Sequence, residues 1–289
     1  MTQPVGEWRP VVEEAEDLVS PAVARAMHGL LDGDGAAPVA DDPLPPLWHW
    51  LAFLPRTPQR DLGEDGHPRR GAFMPPAEGR RMFAGGDLRF SGVIPVGASV
   101  RRSSVVSNVE EKRGRSGSLV FVTVTHDHSV DGHGVVLETQ DIVYRPAPTG
   151  SASPAPAAAP SAPVDGAEGA WDWRFDLDTH PTSLFRFSAL TYNAHRIHYD
   201  RTYATEVEGY PGLVVHGPLQ AMALAELCRR NLPDRVMRSF RFRAVRPAFD
   251  GHPLGVSGRL AGVDNVSLAV LDHTGQVTMR AEAELEPIS

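Results

Sequence analysis

Asn193-Ala194-His195-Arg196-Ile197-His198-Tyr199-Asp200, followed after fifteen residues by His216-Gly217-Pro218, is the stretch on which the fold and chemistry of this chain turn. Between them runs Gly209-Tyr210-Pro211-Gly212-Leu213-Val214-Val215, and an apolar run follows Pro218. A histidine can move a proton near neutral pH. Unpaired N–H groups at a helix start can hold negative charge as it develops on a carbonyl oxygen. Titratable rings beside a glycine that opens an apolar helix therefore point to chemistry at an acyl carbonyl.

Working outward, residues 218–228 carry apolar side chains on most faces, among them Leu219, Met222, Ala223, Ala225 and Leu227. That is the pattern of a helix wrapped by a sheet. Pro218 suits the first turn, where its missing N–H costs nothing. Residues 254–263, 266–272 and 277–285 alternate β-branched with polar side chains, with Asp264-Asn265 and Thr274-Gly275 as turns between them. Residues 99–109, 117–125 and 135–144 do the same in the first half, with a turn at Asp131-Gly132. Ser20 opens a helical segment with Pro21 in its first turn and residues 22–31 following, read as the match of the 218–228 helix.

The halves also repeat weakly. Leu88, Phe90 and Pro95 find counterparts in Phe240, Phe242 and Pro247, each 152 residues later. Between the halves, residues 147–170 are rich in Pro, Ala and Ser and contain almost nothing that could pack a core. The expected organisation is an N-terminal domain at 1–146, a linker at 147–170 and a C-terminal domain at 171–289. Composition and periodicity alone give an α+β class.

At 289 residues the chain is long enough for two such domains, and 42% hydrophobic with 22% charged residues is the balance of a globular protein. Twenty-eight basic against thirty-six acidic residues leave a net charge of −8, which argues against nonspecific binding to nucleic acid or anionic membrane. The single cysteine, Cys228, reads as a small buried hydrophobe, so no intrachain disulfide forms and a reducing compartment is expected. No apolar run suits a membrane span, and the N-terminus lacks a basic-then-apolar signal pattern, so the expected address is the cytoplasm.

The quoted stretch resembles the MaoC-like (R)-specific enoyl-CoA hydratases and dehydratases, whose motif runs Asp-x-Asn-Pro-x-His-x-Asp before a His-Gly pair. The form Asn-Ala-His-Arg-Ile-His-Tyr-Asp is similar to a subgroup acting on mesaconyl-C4-CoA, itaconyl-CoA and hydroxyacyl thioesters, in which Asn193 stands where most of the family has aspartate. In the first half, Gly71-Ala72-Phe73-Met74-Pro75-Pro76, 80–86 and 138–145 resemble the N-terminal domain of that subgroup. The resemblance implies a double hot-dog fold: two antiparallel sheets, each wrapping a central helix. It also implies reversible hydration of an α,β-unsaturated acyl-CoA, with a short branched or dicarboxylic acyl chain. No cofactor is implied beyond the CoA that the substrate carries.

Hydration needs a base for water, a proton source for Cα and stabilisation of the enolate oxygen. The resemblance assigns the first two to His198 and the third to the Gly217 N–H. Asn193 cannot exchange protons, but its amide can orient water; the alternative is a turn residue that caps the following segment, and one side chain can do both. Asp200 is expected to orient the His198 ring or its loop, or else to be an exposed acid. His195 and Tyr199 are expected to support the site, and His216 to shape the turn presenting Gly217. His195, His198 and His216 lack the Cys or carboxylate partners of a metal site, so no metal is expected. Arg80, Arg81, Arg241, Arg243 and Arg246 are candidates for contacting CoA phosphates. The first half has no matching motif and is expected to shape the acyl pocket. The expected partner is an acyl-CoA thioester, with a homodimer compatible. A noncatalytic acyl-thioester binding module and a hot-dog thioesterase are the competing functional readings.

Overall fold

The computed structural model describes residues 8–69, 73–77, 79–114, 117–145 and 170–288. Apart from Ala170, the expected linker lies outside the described residues, as do Gly71 and Ala72 of the first-half motif. The first half contains β1 (Val12–Asp17), α1 (Pro21–Leu30), β2 (Arg80–Phe90), β3 (Val100–Gly114), β4 (Gly117–Val130) and β5 (His133–Arg145). The second contains β6 (Trp173–Leu177), α2 (Pro181–Thr191), α3 (Gly217–Asn231), β7 (Arg235–Ala244), β8 (Leu254–Leu260), β9 (Asn265–Leu271) and β10 (Val277–Pro287). The alternating segments read from the sequence thus form strands, and the apolar run after His216 forms the long helix.

Every strand joins one antiparallel sheet in the order β1-β3-β4-β5-β2-β7-β10-β9-β8-β6. Counted within each half, the order is the same: first, third, fourth, fifth, second. The two arrays are continuous because their second strands pair, Gly85 with Arg243 and Leu88 with Phe240. Leu88 therefore sits opposite its own repeat counterpart, 152 residues away, and a local two-fold axis passes between them. Both are fully buried. The antiparallel array expected in each half is present, but the two are joined as one ten-stranded sheet in place of two separate ones.

The helices differ between the halves. Leu219 to Cys228 of α3 are all buried, packed against β6, β7, β8, β9 and β10. Each Leu or Met removed from water there contributes roughly 1.5–3 kcal/mol. α1 begins as expected, with the Ser20 side chain accepting from Val23 N–H and Pro21 in the first turn. Its counterpart, however, is α2 and not α3. Both follow the first strand of their half, both open with proline, and they pack on each other. Where the second half has α3, the first has a 3₁₀ turn at Trp48–Leu51. Pro43, Pro45, Pro46, Pro55 and Pro58 crowd this region and preclude a long helix. Leu47, Trp48 and Leu51 fill the core there. Among the described residues, no helix is long and apolar enough to cross a membrane.

Candidate active site

α2 stops at Tyr192, which takes a left-handed conformation, and Asn193 N–H then bonds the Ser188 carbonyl at 2.9 Å. The reversal brings Asn193, His195, His198 and Tyr199 to the lining of a cavity. Asn193 Oδ1 accepts from His195 N–H at 3.0 Å, an Asx turn that leads into the 3₁₀ turn Arg196–His198. Its Nδ2 has no protein acceptor among the described residues and the side chain lines the cavity. Both readings of Asn193 therefore survive: one side of the amide makes the turn and the other is free to donate.

His198 is 8% exposed, and its Nδ1 bonds the Val214 carbonyl at 2.7 Å. A carbonyl can only accept, so Nδ1 carries the hydrogen and the neutral ring presents Nε2 as a lone pair. Val214 N–H bonds the Ile197 carbonyl at 2.9 Å, so the two segments are held together at adjacent residues. Burial pulls the His198 pKa down to about 4; the Val214 carbonyl opposes this, and nearby His67 adds to it. The ring is neutral at pH 7, the form a base requires. His216 stacks on it at 3.8 Å and 19°, and Ser188 Oγ holds His216 Nε2 at 2.9 Å. His216 thus fixes the His198 ring as well as standing at the N-cap of α3.

Gly217, the first residue of α3, lines the same cavity. Its N–H has no acceptor among the described residues, and Pro218 has no N–H to compete, so an unpaired donor stands at a residue that lines the same cavity as His198. A Cβ here would lie 3.1 Å from Phe83 Cδ1, so glycine keeps the cavity floor open.

Asp200 does not touch His198. Its Oδ2 takes a fork from Arg196 Nε and Nη2 at 3.0 and 2.8 Å, and its Oδ1 accepts from Tyr203 N–H. It tethers the loop. Tyr199 donates its hydroxyl to the Ala194 carbonyl at 3.1 Å. His195 lies edge-on to His198 at 5.4 Å, with burial and the neighbouring His67 lowering its pKa to about 2.

The first half enters this site in a way the sequence did not announce. The loop 61–69 docks on residues 194–196, the Asp65 carbonyl accepting from Arg196 N–H at 2.9 Å. Gly66 permits the approach. Its φ is +87°, and a Cβ would lie 1.8 Å from the Ala194 carbonyl oxygen. Asp65 Oδ2 holds His67 Nδ1 at 3.0 Å, and the His67 ring lies 4.0 Å from that of His195. His67 chiefly, through its side-chain hydrogen bond, takes the Asp65 carboxyl down to about 2. An Asp-Gly-His in a loop has no periodicity to flag it, and only the contact reveals it.

The cavity encloses about 820 Å³ and is lined by both halves, including His67, Phe83, Asn193, His198 and Gly217. Of the five arginines proposed for CoA, Arg80, Arg81 and Arg246 line it. Arg80 is already paired with Glu208 at 2.7 Å. Arg241 and Arg243 alternate with buried Phe240 and Phe242, so they face away from the core, and Arg241 pairs with Asp87 at 2.6 Å. The structure does not bring these two to the cavity. Two groups could offer three metal ligands each, Asp65-His67-His195 and His49-His128-Glu138. The set His195-His198-His216 is not among them, and His198 Nδ1 and His216 Nε2 are engaged by the Val214 carbonyl and Ser188 Oγ.

A sequence profile for hydroxyacyl-thioester dehydratase type 2 matches residues 47–250, well over half the chain. The chain belongs to that family. It is 45% identical over 279 residues to mesaconyl-C(4)-CoA hydratase of Chloroflexus aurantiacus, covering 96% of each protein. It is also 45% identical over 78 residues, 26% of each chain, to the mitochondrial hydroxyacyl-thioester dehydratase type 2 of Schizosaccharomyces pombe. Among solved structures, a MaoC-like dehydratase of Phytophthora capsici superposes with a TM-score of 0.70 at 14% identity, covering 97% of this chain and 96% of that one. HtdX of Mycobacterium tuberculosis gives 0.66 at 17% identity, covering 95% and 99%. These two establish the MaoC-like hot-dog fold. As a member of the type 2 dehydratases the protein is a hydro-lyase of acyl thioesters, and the noncatalytic reading falls away.

Proposed function

We propose that this hydro-lyase reversibly adds water to a short dicarboxylic enoyl-CoA of the mesaconyl-C4-CoA kind, the substrate named for its Chloroflexus relative. One observation carries the chemical assignment: the free Nε2 side of a neutral, immobilised His198 shares a cavity with the unpaired N–H that opens α3.

In the hydration direction, His198 Nε2 takes a proton from water as the water oxygen bonds Cβ. The double-bond electrons move to Cα and the thioester oxygen, where the Gly217 N–H and the α3 N-terminus stabilise the enolate. Asn193 Nδ2 donates to a lone pair of the water and orients it. The imidazolium then returns its proton to Cα, closing the cycle. Because burial makes that imidazolium a strong acid, the return is downhill. Asp65 orients His67 beside His195, within the electrostatic reach of His198, where it disfavours the imidazolium and so favours return of its proton.

The test is turnover of enoyl-CoA thioesters followed by loss of conjugated-enoyl absorbance. Removing a general acid–base costs about 10² to 10⁴ in rate, so His198→Ala is expected to fall by that factor. A folded His198→Ala enzyme retaining more than about a tenth of wild-type turnover overturns the assignment.

A further inference from the structure

On the first-half side the cavity is lined, among apolar residues, by Arg102, His126, His128, Glu138 and Gln140, and Arg102 is a cation without a hydrogen-bonded partner. Register builds the group. Arg102 of β3 faces His128 of β4, Ser104 faces His126, and His126 in turn faces Glu138 of β5. Glu138 is 1% exposed. Its oxygens accept from His49 Nε2 at 2.9 Å, Trp50 Nε1 at 2.8 Å and Gln140 Nε2 at 2.6 Å. Burial alone would raise this carboxyl, but the His49 bond and its histidine neighbours bring it down to about 2, so it stays ionised.

Two groups on this wall remain unspent. His128 is 2% exposed and its Nδ1 has no partner. Arg102 Nε is buried without a partner, and the guanidinium makes no ion pair or hydrogen bond with any described residue. It lies over the Phe53 ring at 4.3 Å. A half-buried guanidinium with no hydrogen-bonded anion is costly even with Glu138, Glu13 and Asp17 in electrostatic reach, and its planar fork matches a carboxylate. A cation is the wrong occupant, because Glu138 has spent its acceptors and Arg102 lies beside it. With ionised Glu138 offsetting part of the field, the wall suits a singly charged anion better than a phosphate dianion.

We infer that Arg102, with His128 beside it, is the subsite that binds a carboxylate carried on the substrate's acyl chain. This rests on the hydratase reading of the same cavity and supplies its selectivity: an acyl pocket for fatty chains would have apolar groups here. Trp50, whose indole N–H is fixed by Glu138 and whose ring packs edge-on to Phe83 at 6.1 Å, forms the wall between this subsite and Gly217.

Unreactive saturated thioesters test it by calorimetric binding: succinyl-, glutaryl- and adipyl-CoA, each against the uncharged acyl-CoA of equal length, with free CoA as reference. At least one diacid is expected to bind about tenfold or more tightly than its uncharged match. Arg102→Met should abolish that preference, and Arg102→Lys, which keeps charge without the fork, should retain part of it. Replacing a buried unpaired charge by an apolar chain favours folding, and the melting temperature checks this. The inference is overturned if no diacid is preferred, if the preference survives Arg102→Met, or if free CoA loses affinity by the same factor, which would assign the guanidinium to a phosphate. Hydration of crotonyl-CoA by the wild type is read in parallel. If no enoyl thioester is hydrated the proposed reaction fails, while the binding comparison still reports on Arg102.

Discussion

The two halves share a strand order and meet at one seam, yet they are filled differently. The second half packs α3, with Leu219 to Cys228 buried all round, against its strands. The first half has only the turn Trp48–Leu51 in the corresponding place, and its buried groups include His49, His128 and Glu138. The sheet is what the two copies preserve, and the helix is what one of them has lost. Loss of that helix leaves side chains of β3, β4 and β5 facing open space, where they can line a cavity whose proposed proton carrier, His198, stands in the other half.

If the halves divide the work in this way, neither works alone, and the largest effect should come from separating them. A fragment of residues 170–288 leaves β7 without β2 and exposes Phe240 and Phe242, which are buried in the whole chain. It is expected to be inactive and to aggregate, by hydration assay and size-exclusion chromatography. A monomeric fragment with wild-type turnover would break the comparison.

Acid should act on both halves together. Burial, the foremost cause in each case, lowers the pKa of His126 and His198 to about 4, of His128 to about 3 and of His195 to about 2, and holds His216 well below its ordinary value. The unfolded chain binds protons below its histidine pKa of about 6.5 while these folded rings stay neutral. Their contribution is therefore whole above that pH and is lost as pH falls toward 4. Five such rings correspond to a loss on the order of 8 kcal/mol between pH 6.5 and 5, measured by denaturant unfolding at each pH. A flat profile over that interval would mean the rings are solvated in the folded protein.

Asn193 gives the smallest effect and separates its two sides. Asn193→Ala removes the water donor and the turn cap without adding charge, so kcat should fall by about tenfold while the acid limb of kcat/KM stays in place. Asn193→Asp puts a negative charge near His198 and favours its protonated form, moving that limb to higher pH. Wild-type kcat in Asn193→Ala would reduce the residue to a turn former.

The legible parts of this molecule are those written in local order. Alternation placed β3, β4, β5, β8, β9 and β10 but not β1, β2, β6 or β7, and the apolar run after Gly217 placed α3, because both patterns repeat within one element. The 152-residue offset marked the pair Leu88 and Phe240, although nothing in it said that the two would face each other. Matching Ser20 and its helix to α3 was an error of position: cap and proline are shared by any helix start, and only packing shows that α1 belongs with α2. Asp65 and His67 were illegible because a loop has no period, and their meaning comes from docking at Gly66. Arg102 and Glu138 lay in segments read as strands and His126 and His128 just beyond the end of one, and which residues face one another depends on a register that no single strand states.

The seam between β2 and β7 has a consequence for the chain during its synthesis. All five strands of the first half have been made by Arg145, some ninety residues before Arg235 begins the partner of β2. Until β7 leaves the ribosome, β2 presents a row of unsatisfied amide groups with Leu88 at its centre, a template that any compatible strand can cap. Because the local two-fold passes beside Leu88, a second nascent copy offers a strand related by the same symmetry, so two unfinished chains can form the seam that one finished chain makes with itself.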